Sequence, residues 1–268
     1  MRVILRVGMY VFLSIAAFLS IFPLFWTAVS ATNSTPDILA ASMLPGTHLI
    51  ANFERLLELS DLGRAFWNST RNAVILTAVS VTICSLAGYA FEVFHSKAKD
   101  RLMGILLLSM MIPFAAVMIP LFRLATSLNL NDTTLGFMLP TLSTAFLIML
   151  FRQSTRSFPH EMIEAARIDG LNELSIFFRI YVPTMKSTYA AAITITFMAA
   201  WNVFLWPRLI MMSPEAVTMP MLISNLMAGY VTEFGVVMLA VLIATLPTII
   251  IFLFLQRYFA EGLLGTIK

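Results

Sequence analysis

Six long stretches of this chain contain no Asp, Glu, Lys or Arg, and each is close to the length that crosses a bilayer. A helix needs about 20 mostly apolar residues to span the hydrocarbon core. Inside lipid the backbone must satisfy its own hydrogen bonds, which a helix does. The sequence therefore predicts an all-α membrane protein with six transmembrane helices. We place them at residues 7–31, 73–91, 102–122, 135–151, 189–207 and 236–255.

The composition excludes an ordinary soluble domain. The chain is 59% hydrophobic and 12% charged, whereas soluble domains carry about 45–50% apolar and about 25% charged residues. Cys84 is the only cysteine, which rules out an intrachain disulfide and a cysteine-based metal cluster, and its apolar surroundings predict a buried thiol. We expect residues 1–268 to form a single membrane domain in a lipid bilayer, with no nucleic acid as partner and no metal site.

The first apolar segment has a second interpretation, a signal peptide. Arg2 and Arg6 precede it, and Val29-Ser30-Ala31 resembles a cleavage site. Its apolar region is far longer than the 7–15 residues that signal peptides use. We therefore expect a retained transmembrane helix.

The distribution of Lys and Arg predicts the orientation. These residues are enriched in cytoplasmic loops. With the N-terminus inside, twelve of the 17 lie on the cytoplasmic side, and both termini are cytoplasmic. An exterior segment then spans residues 32–71, with a short helix expected at 52–62, and a cytoplasmic loop spans 152–188. The five basic residues outside are Arg55, Arg64, Arg71, Arg123 and Arg208.

The sequence of the loop at 152–188 predicts two short helices joined at a glycine. Pro159 is suited to the start of the first helix, and Gly170 to a position just past its end. The second helix is expected to stop at Val182-Pro183. Four residues of the first helix fall at i, i+3, i+4 and i+7 and are expected to share one shallow face. They are Met162, Ala165, Ala166 and Asp169.

The first of these helices favours a protein partner over the membrane surface. A helix that rests on lipid headgroups needs large apolar residues opposite a basic face. Here the residues are small, and the acidic Glu161 and Glu164 stand beside them.

The loop also carries a spaced pattern. Glu164-Ala165-Ala166 is followed after three residues by Gly170, after nine more by Ile180, and then by Val182-Pro183. This resembles the signature loop of permease subunits of bacterial ABC importers, with Val182 where Leu is usual. Further likeness to the carbohydrate-importing branch, in particular the smaller permease of maltose- and lactose-type systems and the glycerol-phosphate-type permease, lies at residues 66–69, 112–122, 200–207 and 256–263.

The resemblance implies a type I ABC importer permease fold in the bacterial inner membrane. It implies that Ile180 and Pro183 pack the loop onto the membrane domain. The implied partners are a second permease in a heterodimer, two copies of a cytoplasmic ATPase that bind the ATP and Mg, and an extracytoplasmic sugar-binding protein. This chain would bind no cofactor. Contact with the ATPase would be made by a coupling helix through Glu164, Ala165, Ala166, Asp169 and Gly170.

The residues independently indicate an external energy source. Ion-coupled carriers place ionisable residues inside the membrane, and the six segments contain none. The chain also lacks a phosphate-binding Gly-rich Lys loop.

A membrane enzyme is the other alternative, but His48, His95 and His160 lie in different loops, and no nucleophile–base pair is evident. We therefore expect a non-catalytic subunit, with a secondary carrier as the lesser alternative.

A sugar pathway needs neutral polar groups and aromatic faces. Thr194, Trp201 and Asn202 supply both within one segment and are candidates to line a pore. The alternative is helix–helix contact, because Thr and Asn hydrogen-bond between membrane helices and Trp favours the interface. The expected function is half of a translocation pore for a di- or oligosaccharide. Another polyol or a glycerol-phosphate-type solute is the alternative.

Overall fold

The computed structural model describes the backbone of residues 2–265 and the side chains of residues 6–258. Every regular element within that part is helical, which confirms the all-α prediction. Of the positions considered above, residue 2, residues 259–263 and residue 268 lie outside the described side chains.

The helices are short and numerous between residues 97 and 227. Short 3₁₀ turns at Leu139–Thr141 and Pro214–Ala216 and a π-helical turn at Phe177–Tyr181 interrupt the series. In chain order the α-helices are α1 (Arg2–Ser30), α2 (Thr35–Leu39), α3 (Leu49–Leu59), α4 (Leu62–Val93), α5 (Lys97–Ser109), α6 (Phe114–Ser127), α7 (Thr134–Met138), α8 (Ala145–Thr155), α9 (His160–Ile168), α10 (Glu173–Ile176), α11 (Val182–Thr184), α12 (Lys186–Asn202), α13 (Leu205–Ile210), α14 (Met219–Met227) and α15 (Phe234–Gly265).

Three helices of the described chain, α1, α4 and α15, are each long and apolar enough to cross a membrane. Two of the predicted spans are bent pairs instead. α5 and α6 meet at 95°, and the α7 region meets α8 at 57°. With each pair taken as one span the count reaches five. The predicted span at 189–207 corresponds to α12, which has 17 residues, and to α13 after a break. The count of six therefore stays a prediction.

Proline explains the sharpest of these bends. Pro113 is the N-cap of α6, with φ −64° and ψ 133°, and lies four residues after the end of α5 at Ser109. Because a proline disfavours helical geometry in the residue before it, Ile112 cannot belong to a helix that runs on into α6. The predicted span at 102–122 is therefore broken at this point.

The described chain folds into two compact units. The first comprises residues 2–66 with Met219–Leu246. A side-chain amide connects α3 to the loop after α1: Asn52 Nδ2 donates to the carbonyls of Ala31 and Asn33, both at 3.0 Å. An ion pair of 3.0 Å joins Arg55 to Glu233. The short exterior helix predicted at 52–62 lies at Leu49–Leu59, a few residues earlier.

The second unit comprises Trp67–Thr218 with residues 247–265. One apolar cluster joins α4, α5, α8 and α12 through buried residues that include Cys84, Met103, Phe151 and Ala192. Cys84 is fully buried, as its apolar surroundings predicted. A second cluster lies under the charged loop at 152–188 and positions the site described next.

Candidate functional site

α9 has a well-defined end. Asp169 is its C-cap, and Gly170 follows at φ +82°, in the left-handed region that favours glycine. The Gly170 N–H donates to the carbonyl of Arg167 at 3.1 Å, and the Leu171 N–H donates to that of Ala166 at 3.0 Å. This pair of bonds is a Schellman motif. The prediction that Gly170 ends the first helix is confirmed.

The beginning of α9 also follows from its sequence. Pro159 is the N-cap, with φ −65°, and Glu161 lies in the first turn. A carboxylate there interacts favourably with the positive end of the helix dipole, as does Arg167 with the negative end.

One face of α9 packs inward and the other is exposed. Ile163 and Ala166 are 1% and 4% exposed and belong to the second apolar cluster. Glu164 and Ala165 are exposed, and Ile168 is 87% exposed. The outer face is therefore formed by Glu164, Ala165 and Ile168. Of these three, only Ile168 was not identified from the sequence.

This arrangement corrects the predicted shared face. Met162, Ala165 and Asp169 are exposed, but Ala166 faces the body of the unit. Helical periodicity gives the reason, since positions 163 and 166 are one turn apart and both are needed to anchor the helix. The small side chain of Ala166 allows a close approach to the cluster beneath, not to an outside partner.

Aromatic rings form the floor under α9. The ring of Tyr181 lies 4.9 Å from that of Tyr89, 5.5 Å from that of Phe158 and 5.3 Å from that of Phe177, measured between centroids. Aromatic pairs at such distances add to the stabilisation from burial. The rings come from α4, from the linker before α9 and from the π-helical turn, so they connect all three segments.

One buried hydrogen bond fixes this floor to α8. The hydroxyls of Thr155 and Tyr181, both fully buried, lie 2.7 Å apart. Thr155 donates its proton to the carbonyl of Phe151 at 2.7 Å. Tyr181 must therefore donate to Thr155, because a hydroxyl has only one proton. Burial raises the pKa of Tyr181 and keeps that proton in place.

A carboxylate joins α9 to α4 at the rim of the floor. Arg167 Nε donates to Glu173 at 2.7 Å, and the Tyr89 hydroxyl donates to the other oxygen of Glu173 at 3.3 Å. Hydrogen bonding to Glu173 raises the pKa of Arg167 above its usual value. The sequence analysis did not identify Glu173. The signal that could have indicated it is an acidic residue directly after Asn172, a typical N-cap residue. In the structure the Asn172 side chain caps α10 by accepting from the Ser175 N–H at 2.8 Å.

The prediction that Val182-Pro183 stops the second helix is wrong. The helical run continues through α11 to Thr184, and the break comes at Met185, with φ −93° and ψ 28°. Pro183 lies inside this run, as the second residue of α11. Ile180 packs against the aromatic cluster, whereas Pro183 is exposed and does not.

The three pore candidates also differ in exposure: two are buried and one is exposed. Thr194 and Trp201 are 5% and 2% exposed, and the ring of Trp201 stacks on that of Phe197 at 5.8 Å. The Thr194 hydroxyl donates to the carbonyl of Ala190 at 2.8 Å. These two residues pack within the unit, so neither lines an open surface of this chain. Asn202, the last residue of α12, is exposed and donates to the carbonyl of Met198 at 2.8 Å.

No cluster of three or more His, Cys, Asp or Glu suited to a metal ion occurs in the described part of the chain. The site is a short helix with a fixed end on an aromatic floor, carried by a helical membrane protein.

The fold and this loop define a class, the polytopic membrane subunit with a folded loop between helices. Residues 80–264 match the model of the family described as the binding-protein-dependent transport system inner membrane component. The chain belongs to this family.

Relatives span nearly the whole chain. The lactose transport system permease protein LacG of Rhizobium radiobacter is 45% identical, over 97% of this chain and 95% of that protein. The arabinooligosaccharides permease AraQ of Bacillus subtilis (strain 168) is 30% identical, over 98% and 96%. The sn-glycerol-3-phosphate permease UgpE of Yersinia pestis bv. Antiqua is 30% identical, over 97% and 96%.

A solved structure has the same fold. It is the crystal structure of a bacterial ABC transporter involved in the import of the acidic polysaccharide alginate. The match has a TM-score of 0.76, 22% identity and coverage of 96% of both chains. The predicted permease fold is therefore confirmed.

Proposed function

We propose that this chain is one membrane-spanning half of an ATP-driven importer for a di- or oligosaccharide. The support for the substrate class is the 45% identity to a lactose permease over nearly the full length. A second relative is named for arabinooligosaccharides. A glycerol-phosphate-type solute is the second candidate, because a permease named for that solute is 30% identical.

The outer face of α9 is the observation that carries the coupling part of the proposal. Glu164, Ala165 and Ile168 are exposed while the same helix is anchored from below by Ile163 and Ala166. A large apolar side chain at 87% exposure, beside a small one, suits a groove on another protein. That protein is a cytoplasmic ATPase, and Asp169 and Gly170 complete the contact.

The remaining partners follow from the importer scheme. A second permease completes the pore, two ATPase copies bind ATP and Mg, and an extracytoplasmic protein delivers the sugar. This chain is a non-catalytic subunit that binds no cofactor. Both of its termini are cytoplasmic, since that orientation places twelve of its 17 basic residues on the cytoplasmic side of the bacterial inner membrane.

The test is transport by the reconstituted complex. Vesicles of bacterial polar lipids would carry the chain, its second permease and the ATPase, with ATP inside and the binding protein outside. Radiolabelled lactose, an arabinotriose and sn-glycerol-3-phosphate are the probes. We expect uptake of a sugar that requires ATP and the binding protein. Accumulation of the solute by this chain alone, driven by an ion gradient, would establish the carrier alternative and refute the proposal.

A further inference from the structure

Arg152, near the end of α8, is a charged residue that the coupling scheme does not use. It is 3% exposed, and α8 forms half of a candidate membrane span. Arginine is almost never fully buried unless it is paired. A buried Arg in this position therefore needs an explanation.

Its guanidinium joins three helices. Arg152 Nε donates to Glu92 on α4 at 3.1 Å, and Nη2 donates to Asp100 on α5. The Phe91 ring lies 5.9 Å from the guanidinium carbon. Arginine is suited to this role because its donors are held in one rigid plane and can serve two carboxylates at once. Lysine, with a single charged nitrogen, could not hold both in the same geometry.

The helices meet closely at this point. A Cβ added at Gly88 of α4 would lie 2.8 Å from the backbone nitrogen of Arg152 and 2.9 Å from the carbonyl oxygen of Ile148. One turn after Arg152, Thr155 receives the hydrogen bond from Tyr181 that fixes the floor under α9. The C-terminal end of α8 is thus connected to α9 through the aromatic floor and to α4 and α5 through Arg152.

We propose that Arg152 is a positioning residue for transport, which makes the ends of α4, α5 and α8 move as one body when α9 is displaced. The inference rests on the proposed function, since α9 is displaced by the ATPase. Without the guanidinium, the N-terminal end of α5 would be held to α8 by the apolar cluster alone and would follow the movement of α8 less closely. ATP hydrolysis would then continue with less transport.

Arg156 provides a matched control. It donates to the same oxygen of Glu92, at 3.4 Å, but its side chain is 48% exposed. Exposed ion pairs contribute little. It also reaches only one of the two carboxylates that Arg152 joins, so removal of its charge leaves the connection to α5 intact.

The first measurement is the number of sugar molecules taken up per ATP hydrolysed by the reconstituted complex. For Arg152→Gln we expect a fall of about five- to tenfold, at the lower end of the range for coupling between sites. Arg152→Lys should recover part of the loss, and Arg156→Gln should match wild type. An unchanged ratio in Arg152→Gln overturns the inference and leaves the proposed function standing.

Unpaired carboxylates could prevent assembly of Arg152→Gln. A variant with Glu92→Gln and Asp100→Asn in addition removes both carboxylate charges that faced the guanidinium. The charge left on Arg156 is 48% exposed and stays solvated, so we expect this variant to assemble with the same low ratio. Normal transport per ATP in this triple variant overturns the inference. Failure of both variants to assemble also overturns it, because Arg152 would then act in folding only.

The second measurement does not depend on the sugar. With Cys84→Ser as background, spin labels at the exposed Lys97 on α5 and Gln153 on α8 report the distance between these helices in the complex. We expect a narrow distribution that ATP leaves unchanged in wild type and Arg156→Gln, and a broad one in Arg152→Gln. Equal distributions in all three overturn the inference, even if wild type transports none of the three probes and the proposed function fails.

Discussion

Gly88 of α4 lies directly against Phe151 of α8: a Cβ at residue 88 would be 2.5 Å from the Cβ of Phe151. The helices meet at their backbones here, so neither can yield by rotating a side chain. Gly88→Ala should therefore destabilise the protein by about 1–3 kcal/mol, the usual cost of overpacking. Thermal unfolding of the detergent-solubilised protein would measure it.

Gly104 on α5 is the matched control for Gly88. A Cβ there meets nothing within 4 Å. Gly104→Ala should be neutral or stabilising by up to about 1 kcal/mol, because alanine favours a helix. A similar melting temperature for the two alanine variants would contradict the close approach of α4 and α8.

Gly170 should tolerate Asn and reject Pro. Its Cβ position is open, so only the backbone conformation at φ +82° limits substitution. Asn adopts the left-handed region at modest cost, whereas Pro fixes φ near −65° and removes the N–H that bonds Arg167. We expect Gly170→Pro to insert normally and to abolish ATP-driven uptake, and Gly170→Asn to keep most of it. Loss of uptake in both variants would mean that side-chain size matters here.

The two faces of α9 should respond differently to substitution. Ile163→Ala removes a buried side chain and should cost about 2–5 kcal/mol of stability. Ile168→Glu changes an exposed one and should leave the melting temperature unchanged while it weakens co-purification with the ATPase. The prediction fails if Ile168→Glu unfolds the protein or leaves ATPase binding intact.

The hydrogen bond between Tyr181 and Thr155 should show an asymmetric cost. Tyr181→Phe removes only the donor, and Thr155 keeps its own bond to Phe151, so the loss should be about 0.5–1.5 kcal/mol. Thr155→Val leaves the buried Tyr181 hydroxyl without a partner and should cost about 1–3 kcal/mol. Denaturant or thermal unfolding of the two variants measures the difference. The reverse order would show that Tyr181 is not the donor.

Asn202 should affect transport without affecting stability. It is the exposed member of the three pore candidates, so Asn202→Ala should raise the apparent KM for sugar and leave the melting temperature unchanged. Thr194→Val and Trp201→Ala alter buried side chains and should act through stability instead. An Asn202→Ala variant with wild-type KM would remove this residue from the sugar pathway.

The sequence predicts those features that depend on local chemistry. The apolar stretches identify a helical membrane protein, and Gly170 marks the end of α9 because few other residues adopt its backbone conformation. The sequence does not reveal that Ala166 faces inward, since two adjacent alanines fit either side of a helix. The prediction at Pro183 failed because proline usually ends or kinks a helix, whereas here the helical run passes through it and ends at Met185.

Contacts between residues far apart in the chain could not be predicted from the sequence, for a different reason. Glu173 and Arg152 owe their importance to partners on other helices, Tyr89 in one case and Glu92 with Asp100 in the other. Nothing in the spacing of these residues indicates that they meet. For α5 and α6, Pro113 marks where the apolar stretch breaks, but the sequence does not give the angle of 95° between the two helices.

The end of α9 is closed by backbone atoms alone, through the bonds from Gly170 and Leu171. The exposed side chains of Glu164, Ala165 and Ile168 consequently have no part in closing that end. Under the proposed function, substitutions at these three positions would change which ATPase the loop accepts without altering how the helix ends.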